Sequence, residues 1–177
     1  MTFRKIFLSG LLVLLAGCGG NRPANFDGKT PVLVLEDFFR GETVAWGIFE
    51  DRFGKLRREF RVDITGDWDG KTLILDERFA YADGERASRV WRIEKTGVRT
   101  YEGHADDVIG VAKGAVHGNA LNWQYDMDLK IGDSTLRVHF DDWMYLQAPG
   151  VLMNRAYVTK FGIEIGSVTL TFLKPGG

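Results

Sequence analysis

The chain has 177 residues, with 23 Lys and Arg against 24 Asp and Glu and no basic run, a balance that excludes a cationic nucleic-acid-binding face. Hydrophobic residues make up 45% of it, enough for one domain with its own core. Cys18 is the single cysteine, so an internal disulfide is excluded.

At the N-terminus, Arg4 and Lys5 precede an apolar run, Ile6 to Ala16, which is too short for a permanent membrane helix and reads as a signal peptide over residues 1–17. Leu15-Ala16-Gly17-Cys18 resembles the bacterial lipobox. That resemblance implies cleavage before Cys18, with a lipid on its thiol as the contact with the membrane. Gly19 follows where Asp would imply inner-membrane retention, so the implied location is the periplasmic face of the outer membrane. The mature chain would hold 177 − 17 = 160 residues, and losing Arg4 and Lys5 leaves 21 basic against 24 acidic side chains, a net charge of −3. Residues 18–31, rich in Gly, Asn and Pro, read as a flexible tether, and residues 32–177 as the folded domain.

From Val32 onward, segments rich in Val, Ile, Trp, Tyr and Phe alternate with turn signals at Arg52-Phe53-Gly54, Asp67-Trp68-Asp69-Gly70, Ala82-Asp83-Gly84, Lys95-Thr96-Gly97, His117-Gly118-Asn119, Ile131-Gly132-Asp133 and Ala148-Pro149-Gly150. No long amphipathic helix is evident. The spacing predicts an all-β fold: a single antiparallel up-and-down barrel of about eight to ten strands, lipocalin-like in shape. Glycines in VIGVAKGAVHG permit the coiling and close approach that closure requires.

Period-two alternation sorts side chains into inward and outward sets. It places Leu121, Trp123, Tyr125, Met127 and Leu129 inside. In KLRREFRVDI it brings Arg58 inward with Leu56, Phe60, Val62 and Ile64, and in TLILDERFAY it brings Glu77 with Leu73, Leu75, Phe79 and Tyr81. Arg89 follows Trp91 and Ile93, Arg155 follows Val151, Met153, Tyr157 and Phe161, and Asp142 interrupts Leu136, Val138, Phe140 and Met144. Three arginines then face two carboxylates. Unpaired buried charges cost several kcal/mol, so the five either pair among themselves as a structural network or hold a ligand. A surplus guanidinium beside Trp123 and Tyr125 suits the head group of a fatty-acid-like or lysophospholipid anion. The candidate ligand set is Arg58, Glu77, Arg89, Trp123, Tyr125, Asp142 and Arg155.

The stretches DRFGKLRREFRVDITGDWDGKTLILDERFAYADG, ADDVIGVAKGAVHGNALNWQYDMDL, DDWMYL and NRAYVTKFGIEIGSVTL resemble a bacterial family of exported lipoproteins, the domain of unknown function 3833. The resemblance covers nearly all of the mature domain and carries no activity or site residues with it. A weaker likeness, of architecture alone, is to the calycins, where an Arg and Tyr cluster often holds a carboxylate; fold by itself does not imply function.

Catalytic constellations are sparse. Ser88, Ser134 and Ser167 lie outside any nucleophile-elbow pattern. His139 and Asp141 share the outward face with Arg137, and the acids of ADDVIG read as turn chemistry. No metal site, cofactor or enzymatic activity is expected on these grounds. Trp68, Trp143 and Tyr145 fall on the outer face or in turns, as covers for one barrel end or as contacts. A transmembrane barrel is disfavoured because Lys55, Arg57, Glu59, Arg61 and Asp63 line one outer face. The sequence thus points to an envelope lipoprotein that binds or carries a small amphipathic anion, with a non-catalytic scaffold built on a filled barrel as the alternative. The two differ in whether the interior encloses at least about 300 Å³.

Overall fold

The structure is a computed structural model and describes residues 21–131 and 134–175. A 3-10 turn at Pro23–Phe26 and a five-residue helix α1, Leu35–Phe39, precede ten strands among the described residues: β1 Gly41–Asp51, β2 Leu56–Trp68, β3 Thr72–Tyr81, β4 Arg86–Lys95, β5 Thr100–His104, β6 Val108–His117, β7 Ala120–Ile131, β8 Ser134–Ala148, β9 Val151–Lys160 and β10 Ile163–Leu173. Each strand pairs antiparallel with the next, and β1 pairs with β10, which closes the barrel. Closure leaves no free sheet edge to recruit another chain. The ten described strands close on one another and enclose one core built from residues between Leu33 and Phe172.

The two ends differ. At the end where β1 starts and β2 finishes, Phe38 and Phe39 of α1 close the barrel, with Phe39 edge-on to Phe172 at 5.4 Å. The helix can sit this low because of Gly66, where any Cβ would collide with the Phe39 carbonyl. The plug carries one buried carboxylate. Glu36 accepts hydrogen bonds from Lys95 Nζ at 2.5 Å and the Tyr101 hydroxyl at 2.8 Å. Burial alone would raise its pKa, but Lys95, the helix backbone and Tyr101 hold it below the ordinary value.

The inward sets of β2, β3, β4, β7 and β8 follow the alternation read from the sequence. Val62, Ile64, Leu73, Leu75, Trp91, Ile93, Leu121, Trp123, Met127, Val138 and Phe140 form one core. Strand β9 differs. Leu152, Asn154, Ala156 and Val158 are buried, while Met153, Arg155 and Tyr157 are exposed, one residue out of the expected register.

The segment expected as a flexible tether also differs from Asn21 onward. Phe26 is buried against Trp143 and Tyr145 at 5.6 and 5.5 Å, and Asn21 donates to the Tyr145 hydroxyl at 2.8 Å. An apolar ring that gains this burial straps the segment to the outer wall near the plugged end. Trp143 and Tyr145 are therefore cover under the 3-10 turn, and Trp68 packs against the main core. The expected signal peptide and Cys18 lie outside the described residues. Among the described residues, no helix is long and apolar enough to cross a membrane.

Candidate functional site

The end opposite α1 is the open mouth, where β1 meets β2, β3 meets β4 and β5 meets β6. Here the inward rows of β2, β3 and β4 deliver Arg58, Phe60, Glu77, Phe79, Tyr81 and Arg89 side by side, since Glu77 stands directly across from Arg89 and Phe60 from Tyr81. The β5–β6 turn adds Asp107. Arg89 donates to both Asp107 oxygens, Nε at 3.0 Å to each and Nη2 at 2.7 Å to Oδ2, a bidentate grip. Its Nη1 lies 3.7 Å from Glu77 Oε2, and its guanidinium faces the Phe79 ring at 5.5 Å. Burial alone would lower the Arg89 pKa, yet Glu77 and Asp107 together raise it, so Arg89 is permanently charged.

Glu77 is the loosely held member. Its side chain is 13% exposed, and among the described residues it has no hydrogen bond, only the 3.7 Å approach of Arg89. Burial pushes its pKa up to about 7; Arg89 opposes the shift, while Asp107 and Asp142 add to it.

Below the mouth, Asp142 stands where β8 interrupts its apolar row. It accepts from Asn154 Nδ2 and from the Tyr125 hydroxyl at 3.4 Å. Burial raises its pKa to about 7 against those two hydrogen bonds, with Asp141 adding to the rise. Burial likewise raises the Tyr125 hydroxyl well above its ordinary value, helped by the neighbouring Asp142. Tyr125 stacks on Phe140 at 5.0 Å and meets Trp91 edge-on at 5.5 Å. Trp123 lies in a slot that Gly103 and Gly114 leave open, because a Cβ on either would run into its ring. Among the described residues, core side chains pack against one another across the middle of the barrel.

Several sequence expectations change at this point. Arg155 is on the outer wall, exposed, with its guanidinium beside Tyr157; β9 runs one residue out of the assumed register, because Asn154 turns inward to serve Asp142. Arg58 has the inward parity but sits at the rim, 34% exposed, bound to Asp83 at 3.1 Å and Glu85 at 2.7 Å and stacked on Tyr81 at 3.7 Å. Asp107, read as turn chemistry, is the main partner of Arg89. Arg89 is thus set against Glu77, Asp142 and the partly exposed Asp107 of the mouth, and Arg58 at the rim against Asp83 and Glu85. The predicted positive surplus is absent, and with it the argument for an anionic head group. Glu77, Arg89, Trp123, Tyr125 and Asp142 do converge.

Hollows lie elsewhere. A groove of about 470 Å³ runs over the wall of β1, β2, β3 and β10, lined mainly by outward side chains such as Trp46, Ile48, Arg61 and Thr169. A hollow of about 230 Å³ at the rim is lined by Leu56, Arg57, Arg58 and Asp83. Among the described residues, no cluster of His, Cys, Asp and Glu is arranged to hold a metal ion. His139 is exposed and hydrogen-bonds Asp126 at 2.8 Å.

Ten antiparallel strands closed on themselves, plugged at one end and polar at the other, define a lipocalin-like barrel. The chain belongs to the family described as Protein of unknown function (DUF3833), whose model matches residues 12–174. Comparison with curated proteins gave no match. Among solved structures the chain is similar to the S-type phycobiliprotein lyase CPES of Guillardia theta, with 12% sequence identity and a TM-score of 0.59 over 82% of this chain and 94% of that one. At that identity the likeness is one of fold. It overturns the expectation of a non-enzyme, since a barrel of this shape is described as a lyase. Two inward carboxyls with pKa values about 7 lie in the range that general acid–base chemistry uses.

Proposed function

We propose that this chain is an envelope lipoprotein, held by a lipid on Cys18 at the periplasmic face of the outer membrane, whose barrel mouth binds one small amphipathic molecule. The observation that carries the binding reading is Glu77: a largely buried carboxyl in the inward row of β3 between Leu75 and Phe79, across from Ile64 and the committed Arg89, and without a hydrogen bond of its own among the described residues. A carboxyl this far out of water, met only by the 3.7 Å approach of Arg89, has room for a further partner. The complementary ligand group is a hydrogen-bond donor or a cation, because Arg89 is already occupied by Asp107. The apolar part of the ligand would lie against the mouth aromatics. Supporting this reading, the similar barrel is described as a phycobiliprotein lyase, and a carboxyl whose pKa burial raises to about 7 can exchange a proton with whatever it holds.

The test is calorimetric titration of residues 21–177 with dodecylamine and, separately, laurate at pH 8. Dodecylamine binds and laurate does not, and Glu77→Gln weakens the amine at least about tenfold. Equal binding to the variant overturns the reading of the site. Lipidation is tested separately, by incorporation of a labelled fatty acid into the wild-type chain and its loss in Cys18→Ser.

The packed middle of the barrel favours a second reading, in which the barrel is an envelope scaffold that presents its outer wall to a partner. Binding of no amphiphile of either charge would favour it.

A further inference from the structure

Two hairpin tips stand side by side at the mouth: the β1–β2 turn with Phe53 and the β9–β10 turn with Phe161 and Ile163. The Arg52 N–H donates to the Ile165 carbonyl at 3.0 Å, tying one tip to the stem of the other. Phe53 is 80% exposed, Phe161 93% and Ile163 61%. Rings left this far in water on adjacent tips, away from the core, mark a contact surface. The carboxylates of this edge are Glu50, Asp51 and Glu164, and its cations are Arg52, Lys55, Arg57 and Lys160. Asp51 is occupied: it accepts from the Phe53 and Lys55 backbone N–H groups at 3.0 and 3.1 Å and pairs with Arg57 at 2.6 Å. Arg52, Lys55 and Lys160 form no ion pair among the described residues. Arg52 covers the Phe53 ring at 4.7 Å and Lys160 the Phe161 ring at 5.3 Å.

We infer that these two tips dock the open mouth on a bilayer containing anionic phospholipid, with Phe53, Phe161 and Ile163 entering the interface and Arg52, Lys55 and Lys160 meeting the head groups. Each apolar tip is paired with a cation at its base, the arrangement that lets rings enter the acyl boundary while charge stays with the phosphates. A peptide groove would instead need a concave apolar wall, whereas these tips are convex. The inference goes beyond the ligand reading and stands without it.

The experiment is co-sedimentation of residues 21–177 with vesicles of phosphatidylcholine alone and of equal parts phosphatidylcholine and phosphatidylglycerol. The wild-type chain partitions at least about tenfold more onto the anionic vesicles, and the preference falls with added salt. Phe53→Ser with Phe161→Ser cuts anionic partition at least about tenfold with an unchanged unfolding midpoint. Arg52→Gln with Lys55→Gln and Lys160→Gln removes the preference between the two vesicles. Equal partition of the wild type onto both vesicles, or undiminished partition of the Phe double variant, overturns the inference.

Discussion

Asp142→Asn should stabilise the protein at alkaline pH and do so less in acid. The Asp142 carboxyl has its pKa raised from 3.8 to about 7 by burial, so the folded state keeps a proton that the unfolded chain has released. Between those two values the native state binds more protons, and stability falls as pH rises, by about 1.4 kcal/mol per pH unit for a single proton. From pH 5 to pH 7 that amounts to about 3 kcal/mol, and above pH 7 the slope vanishes. Asn carries the shape of the neutral acid, its carbonyl still accepting from Asn154 and its amide facing the Tyr125 hydroxyl. Urea unfolding of both proteins from pH 5 to pH 8 measures the effect. The variant should gain about 2–3 kcal/mol on the wild type across that range. A gap that stays constant or narrows with pH refutes the protonated Asp142.

Arg89→Met strands Asp107 and Glu77 inside the mouth. A loss of about 3–5 kcal/mol at pH 8, shrinking as the carboxyls protonate in acid, is expected from the same unfolding series. Glu36 behaves in the opposite sense to Asp142: its pKa is lowered in the fold, so its stabilisation is present above the unfolded pKa and is lost as pH falls. Glu36→Gln should cost about 1–3 kcal/mol at neutral pH and little in acid. Gly114→Ala puts a methyl into the Trp123 ring and should destabilise by about 1–3 kcal/mol, seen as a lower thermal midpoint with altered tryptophan fluorescence.

The strand count and most of the interior were legible because five strands alternate cleanly, and a carboxylate inside an apolar row, as at Glu77 and Asp142, stands out against its neighbours. Strand β9 was not. It carries apolar residues on both faces, Leu152, Ala156 and Val158 inside and Met153 and Tyr157 outside, so period two could not choose between them, and the inward turn of Asn154 depends on Asp142, which sits on another strand. Asp107 left no periodic trace because it enters from a turn, where side-chain direction follows loop geometry. The five-residue plug α1 is too short for helical periodicity to register. The charge balance of the mouth failed accordingly: two arginines, Arg155 on the other face of β9 and Arg58 at the rim, were counted in, and one acid, Asp107, was left out.

The hydrogen bond from Asn21 to Tyr145 fixes where the N-terminal segment leaves the wall, close to the plugged end. Three peptide steps, through Gly19 and Gly20, separate Asn21 from Cys18, a reach of at most about 11 Å. Upright on that tether, a chain held by a lipid on Cys18 would stand on its plug, with its mouth roughly 30 Å farther out once strand tilt is allowed for. Upright in this way it does not lay both ends on one flat sheet. Phe53 and Phe161 would meet a facing surface instead, and the barrel would work as a post of fixed height between the two.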